Sequence, residues 1–331
     1  MGICNSRQQT EADLSLINYD EEKRHLYVIC VVFNPARSRT TIKLYNHFRA
    51  HMEKAGAKLI TVEVAYENSP FSITIPNYEP YNMQLRTKTP IFQKEQIINK
   101  VVSRLPLDAK YVIYCDYEVE FLNPNWLKET IKSLNMVKAV QLFEEVTILG
   151  PVNEELRKEK SFALLNFGRE DDNKPEKLEK KQFETSTLAS GIAWGFRLDA
   201  WKELGGLFSY SPLGNNDRIM AYCLGQRYEE YIPAEMSDKF KDAAKAWQKR
   251  AAEAFQSGII CIPGPIKLYW TNAKREKKVY EKWEILVNNN FDPKKDLIID
   301  DNGLYTLDPL KPKLVSDLKE YFTSVGGEMI E

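Results

Sequence analysis

Apolar positions in this chain cluster in short, dense runs separated by longer stretches with helical spacing. LYVICVVF (26–33), AKLITVEVAY (57–66), YVIYC (111–115) and IICIP (259–263) are rich in β-branched and aromatic residues. That is the composition of buried strands. KAVQLFEEVTIL (138–149) reads as one further strand. Between the runs, TTIKLYNHFRAHMEKAG (40–56) carries Ile42, Leu44, Tyr45, Phe48 and Met52 at helical intervals and stops on Gly56. IFQKEQIINKVVSRLP (91–106), WLKETIKSL (126–134), EMSDKFKDAAKAWQKRAAEAFQS (235–257) and KLVSDLKEYFTSVG (313–326) have the same amphipathic period. In the third of these, Phe240, Ala244, Trp247 and Ala251 form the packing stripe. Strands alternating with helices through the first 150 residues predict an α/β fold with a mostly parallel sheet flanked by helices. Segment 67–90 predicts a loop-rich excursion with one short strand, and DDNG (300–303) a turn.

Residues 151–189 change this pattern. NEELRKEK and GREDDNKPEKLEKKQFE are charged and contain proline, which predicts an insertion with little to bury, a flap or solvated loop. The expected organisation is a tether over 1–24, one large domain over 25–310 containing the insertion, and a C-terminal helix and tail over 311–331.

The 331 residues, 43% hydrophobic and 28% charged, are those of an ordinary globular chain. A net charge of -1 supplies no basic field for a nucleic-acid partner. The five cysteines form no CxxC pair, and Cys30, Cys115 and Cys261 lie inside apolar runs, where reduced buried thiols are expected. No run approaches the roughly 18 apolar residues of a membrane span, and LYVICVVF is too short for a signal anchor. The expected location is therefore cytoplasmic. Met1-Gly2-Ile3-Cys4-Asn5-Ser6 fits the N-myristoylation pattern on Gly2, with Cys4 available for a second acyl chain. Peripheral membrane attachment and a frayed terminus are both compatible with it.

Candidate chemistry begins where the run at 111–115 meets Asp116-Tyr117-Glu118. On an extended segment, acids at i and i+2 point the same way and can present two carboxylates to one metal ion. Asn34-Pro35-Ala36-Arg37-Ser38-Arg39 follows the first run with small and basic residues suited to a diphosphate, although a solvated loop reads the same way. Glu63 interrupts its apolar run, either on an edge face or in a ligand pocket. Lys94 and Asn99 sit on the helix before the acidic segment, aimed at a cleft. SGIAWGFRLDAWKELGGLFSYSPLGNNDRIMAY (190–222) is punctuated by glycines, and Asp217 there is either a helix-start acid or a catalytic carboxylate. Lys274 and Arg275 lead a basic, aromatic-interleaved stretch, facing phosphates or solvent. His47 and His51 share a helix face without an acid between them and are expected to pack or face water.

Taken in order, the first run with NPARSR, FQKEQIIN followed by LPLDAKYVIYCDYEVEFLNPNW, AVQLFE, and the stretch from Ser190 to Tyr222 resemble the GT-A class of nucleotide-sugar glycosyltransferases. The resemblance is nearest to family-2-like members of large viruses and some microbes, and covers residues 27–305. It implies a Rossmann-like sheet, a UDP- or GDP-sugar donor and a glycan or glycoprotein acceptor. By the same match Asp116 and Glu118 stand for the Asp-any-Asp acids that hold Mn²⁺ or Mg²⁺, with glutamate replacing the second aspartate. Asp217 stands for the base on the acceptor hydroxyl, and Asn34, Arg37, Arg39, Glu63, Lys94, Asn99 and Asp116 for the donor side. Relatives carry an HxWHG-like segment where this chain has Lys267-Leu268-Tyr269-Trp270-Thr271-Asn272. Either Lys267, Lys274 and Arg275 supply phosphate charge instead, or metal use is weakened, or activity is lost. Two readings follow: a metal-assisted glycosyltransferase, or a degenerate relative that binds nucleotide or glycan as an interaction protein.

Overall fold

The computed structural model describes residues 17–34, 37–75, 81–167, 188–256, 258–271 and 279–325. Helix α1 (Tyr19–Lys23) leads into β1 (Leu26–Phe33), α2 (Arg39–Ala55), β2 (Lys58–Tyr66), β3 (Asn82–Thr87), α3 (Lys94–Val102) and β4 (Tyr111–Cys115). Next come β5 (Val119–Phe121), α4 (Trp126–Met136), β6 (Ala139–Gln141), β7 (Glu145–Leu149), β8 (Glu155–Ser161), α5 (Phe162–Phe167) and β9 (Leu188–Ala189). Then follow β10 (Ala193–Arg197), α6 (Leu198–Leu204), α7 (Asn216–Leu224), α8 (Asp238–Ala254), β11 (Ile259–Cys261) and β12 (Pro265–Leu268). The described chain ends with α9 (Val279–Asn288), a β13 (Leu297–Ile299) and β14 (Tyr305–Leu307) hairpin, and α10 (Pro312–Val325).

A seven-stranded sheet in the order β3-β2-β1-β4-β10-β6-β11 forms the centre, flanked by helices on both faces. All its pairings are parallel except those of β10, which runs against β4 and β6. The α/β architecture with a mostly parallel sheet, expected from the pattern, and its Rossmann-like form, implied by the resemblance, are those observed. Residue alternation in β1 explains the two layers. Tyr27, Ile29 and Val31 pack with α3, α6, α7 and α8, while Leu26, Val28, Cys30 and Val32 pack with Tyr45, Phe48 and Met52 of α2 and Trp126 and Ile131 of α4. Helix α2 ends on Gly56, whose φ of 68° needs a residue without a Cβ penalty. On α8 the expected stripe of Phe240, Ala244, Trp247 and Ala251 is buried. Cys30, Cys115, Cys223 and Cys261 are buried free thiols.

Three expectations are corrected. KAVQLFEEVTIL is two strands: β6 in the central sheet, and β7 in a second sheet of order β5-β12-β7-β8-β9. Short strands in different sheets look like one long run because Val140, Leu142, Phe143 and Val146, from both strands and the link between them, are all buried in one core cluster. The first part of the charged insertion is ordered secondary structure. In β8, side chains alternate between water and partial cover, and Phe162 and Ala163 after it are fully buried. Third, Asp116-Tyr117-Glu118 is not extended. It forms the turn between β4 and β5, so the i, i+2 strand argument does not apply to it.

Among the described residues, no helix is long and apolar enough to cross a membrane. Gly2 and Cys4 lie outside the described residues.

Candidate active site

The carboxyl ends of β1, β2, β3 and β4 lie along one edge of the sheet. Because β10 is antiparallel, its beginning reaches the same edge. Helices α2 and α3 follow β1 and β3, so their N-termini, with unpaired N–H groups and positive dipole ends, open there too. In open α/β sheets this edge is where ligands bind.

The turn after β4 is built against a strained partner. The Asp116 N–H donates to the Ile192 carbonyl at 3.0 Å, and the Ala193 N–H to the Gly191 carbonyl, two residues back, also at 3.0 Å. This makes Ser190-Gly191-Ile192-Ala193 a tight turn with Ile192 at φ 75°. A β-branched residue in the left-handed region is costly, of order 1–3 kcal/mol, and persists only where its surroundings enforce it. Gly191 is also required on packing grounds. A Cβ there would lie 2.7 Å from Asp217 Oδ2.

Four charged side chains from three elements meet at this point. Lys94, the first residue of α3, donates from Nζ to Asp116 Oδ1 at 2.9 Å. Burial works to lower the Lys94 pKa, but the negative charges of Asp116, Glu95 and Asp217 outweigh it and raise it above its usual value. Asp217, in the first turn of α7, accepts from Ser190 Oγ at 3.0 Å. It is not the N-cap of α7, a position held by Asn215 in left-handed geometry at φ 63°. Glu95 is 2% exposed and accepts from Asn216 Nδ2 at 3.0 Å. Burial, with the charge of Asp217, pushes its carboxyl up to about 7 against the opposing pull of Lys94. Glu118 is buried in the same turn, and burial together with the fields of Asp116 and Glu118 raises the Cys30 thiol well above normal.

Of the remaining sequence candidates, several support the edge without presenting free polar groups to it. Asn34 Oδ1 accepts from the Ser38 N–H at 2.8 Å and its Nδ2 donates to Ser72 Oγ at 3.2 Å, which folds the loop after β1. Glu63 holds segment 72–74, accepting from the Ser72, Ile73 and Thr74 N–H groups at 2.5, 3.0 and 2.7 Å. Asn99 pairs with both the N–H and C=O of Leu207, at 2.8 and 2.9 Å. Arg37 and Arg39 are exposed at the start of α2, where Ser38 makes no side-chain cap bond and leaves the helix terminus open. Lys267 stands opposite Glu120 across the β12–β5 pair. In the same segment, the Tyr269 hydroxyl donates to Glu120 and its ring lies edge-on to His47, which accounts for His47 as a packing residue. Arg275 lies outside the described residues. A pocket lined by Phe33, Val64, Tyr66, Thr87 and Pro90 opens at the ends of β1, β2 and β3.

Sequence reasoning missed Glu95 and Ser190, while Gly191 was named among the glycines that let the backbone turn sharply or approach a ligand. A signal for Glu95 was available: it lies three residues before Ile98 and six before Val101, on the stripe that α3 buries. An acid on a buried stripe needs an explanation.

Among the described residues no group of three or more His, Cys, Asp or Glu side chains is arranged to hold a metal. Asp116 and Glu118 are hard oxygen donors of the kind divalent magnesium or manganese takes, and phosphate and water would have to complete the shell.

No family model and no curated protein matches this chain. Among solved structures it is similar to the catalytic domain of Drosophila β1,4-galactosyltransferase 7 in complex with xylobiose, at 12% identity and TM-score 0.41, over 88% of this chain and 98% of that one. A mutant of the fly enzyme in complex with manganese, UDP-Gal and xylobiose aligns at 11% identity and TM-score 0.37, over 88% and 98%. The 4-diphosphocytidyl-2C-methyl-D-erythritol synthase of Anaerococcus prevotii aligns at 10% and 0.36, over 93% and 99%. At such scores these likenesses decide neither fold nor activity.

Proposed function

We propose that this chain is a nucleotide-sugar-dependent glycosyltransferase of the GT-A class, a single catalytic domain over 25–310 with a tether before it. The observation that carries the reading is the meeting of Asp116, Lys94 and Asp217, from three separated segments, at the carboxyl edge of a mostly parallel sheet. A family-2-like donor chemistry with a UDP- or GDP-sugar is assigned from the resemblance of the ordered motifs. The pocket walled by Phe33, Tyr66 and Pro90 is of a kind to receive a flat base. Arg37 and Arg39 beside the open α2 terminus provide positive charge for a diphosphate.

In this reading Asp116 and Glu118 hold Mn²⁺ or Mg²⁺, which when bound acts as a Lewis acid on the leaving nucleoside diphosphate. Lys94 orients the Asp116 carboxylate through its 2.9 Å hydrogen bond to Oδ1. Asp217 accepts the proton of an acceptor hydroxyl on a glycan or glycoprotein, with Ser190 holding one of its oxygens. Acylation at Gly2, reinforced at Cys4, would hold the enzyme on the cytoplasmic side of a membrane. Mass spectrometry of the native N-terminus tests that, and an unmodified Gly2 removes it.

The test of the main reading is a thermal-shift screen against nucleoside diphosphates and nucleotide sugars with and without Mn²⁺, because binding to the native state raises apparent stability. A metal-dependent rise with one nucleotide, abolished in Asp116→Asn, supports it. The second reading, a non-catalytic nucleotide- or glycan-binding protein, is favoured by one observation: Asp116 is already neutralised by Lys94. It predicts shifts that ignore the metal, and no transfer.

A further inference from the structure

The three acids that act on Lys94 are held by different kinds of partner. Asp217 accepts from the Ser190 hydroxyl and Glu95 from the Asn216 amide, both at 3.0 Å and both neutral donors. Asp116 alone of the three takes a charged donor, the Lys94 ammonium at 2.9 Å. A neutral donor is enough to orient a carboxylate, as Ser190 and Asn216 do. An ammonium also neutralises it, and so stands in the electrostatic place of a metal ion.

The pair is reachable from solvent. Lys94 opens α3, whose Gln93 N-cap makes no side-chain cap bond, and the side chains of Lys94 and Asp116 are 17% and 28% exposed. Asp116 Oδ2 makes no hydrogen bond among the described residues, so an ion arriving there would share one carboxylate with the ammonium. Two cations so placed repel, in half-buried surroundings where water screens them poorly. Glu118 acts in the same small space, since the buried Cys30 thiol lies in the fields of Asp116, Glu118 and Lys94 together. The acids around Lys94 raise its pKa, so it does not leave the competition by losing its proton.

We propose that Lys94 is the internal competitor of the divalent cation at Asp116: a bare ion binds weakly, and binds well only when the ammonium passes to another anion. This rests on the reading of Asp116 and Glu118 as metal ligands. A diphosphate at the carboxyl edge offers the ammonium that second partner, so ion and diphosphate each strengthen the binding of the other.

The experiment titrates Mn²⁺ alone into the full-length protein, counting free ion by electron paramagnetic resonance. Wild type is compared with Lys94→Met, Lys94→Gln and the double variant Lys94→Met with Asp116→Asn. Removing the ammonium is expected to tighten Mn²⁺ binding about tenfold or more, and the added Asp116→Asn to abolish the gain. A lysine that only orients Asp116 predicts the opposite, an affinity equal to wild type or weaker. Thermal unfolding gives a second measure: Mn²⁺ is expected to raise the midpoint more in the neutral variants than in wild type. Two neutral residues of different shape keep the comparison alive if one variant does not fold. Equal or weaker binding in the folded neutral variants, or no binding in any variant, overturns the proposal and leaves Lys94 as an orienting residue. Sugar transfer decides the wider reading separately. Mn²⁺-dependent transfer with unchanged affinity in the variants keeps the enzyme and removes the competition, whereas tightened binding in a protein that transfers no sugar does the reverse.

Discussion

Glu63 and Glu95 are the same residue type at the same 2% exposure, and their surroundings differ completely. On β2, the Glu63 carboxylate accepts three backbone N–H groups and the hydroxyls of Thr74 and Ser72, at 2.8 and 3.3 Å. Those bonds close segment 72–74, and Ser72 passes the support on to Asn34 and the loop after β1. On α3, Glu95 has one neutral side-chain donor and sits in the field of another carboxylate. The first is a structural knot, with lone pairs filled by donors that cannot leave. The second is an acid with a single side-chain donor beside Asp217, the proposed base. Burial alone does not separate a structural acid from a functional one. What fills its lone pairs does.

Each side of that comparison can be broken. The largest effect is expected from Asp217→Asn, which should lower kcat about 10²- to 10⁴-fold, the usual contribution of a general base, with urea unfolding little changed. Glu63→Ala should do the reverse. It strands three N–H groups, that of Thr74 buried and those of Ser72 and Ile73 half-buried, and is expected to cost about 3 kcal/mol in urea unfolding, with activity lost only in proportion to unfolded protein. Gly191→Ala places a Cβ 2.7 Å from Asp217 Oδ2, so we expect about 1–3 kcal/mol of lost stability and a kcat loss larger than unfolding accounts for.

The pH dependence of stability sharpens the contrast further. The folded-state pKa of Glu95, about 7, lies above the usual carboxyl value of 4.5. Between those values the native protein holds a proton that the unfolded chain has released, so stability falls as pH rises through this window. Glu95→Gln removes that term. Its stability relative to wild type should be greater at pH 8 than at pH 5, by about 1–3 kcal/mol in denaturant titrations at the two pH values. The smallest effect is expected for Asn99→Ala, which loses the paired bonds to Leu207 at a cost of about 1–2 kcal/mol in urea, with no change in the pH profile.

Much of the fold was legible because its signals are local. β1, β2 and β4 are apolar on both faces, and α2 and α8 carry stripes whose buried members include Phe48, Met52, Phe240 and Trp247. KAVQLFEEVTIL was misread because periodicity cannot tell one strand from two that enter different sheets. Likewise β8 was misread as loop, since a strand that is wet on one face and charged on both has no apolar run to announce it. In the candidate site, Asp116 and Lys94, which the fold pairs at 2.9 Å, were singled out from the step from apolar strand to acid and from the helix before it. Asn34, Asn99 and Glu63 were singled out as polar residues in meaningful places, but their hydrogen bonds run to loops distant in sequence, which only contact geometry reveals.

The sequence by itself determined the strand and helix alternation, the two-faced burial of the central strands and the residue types available at their ends, because each depends on neighbours within a few positions. The tertiary structure alone decided which polar residues meet. Asp116, Glu95 and Asp217 lie on β4's end, α3 and α7, far apart along the chain, and the parallel crossovers and the reversed β10 bring them to one edge. Their charge state is set there as well, since burial and a neighbour's field act through distance in space.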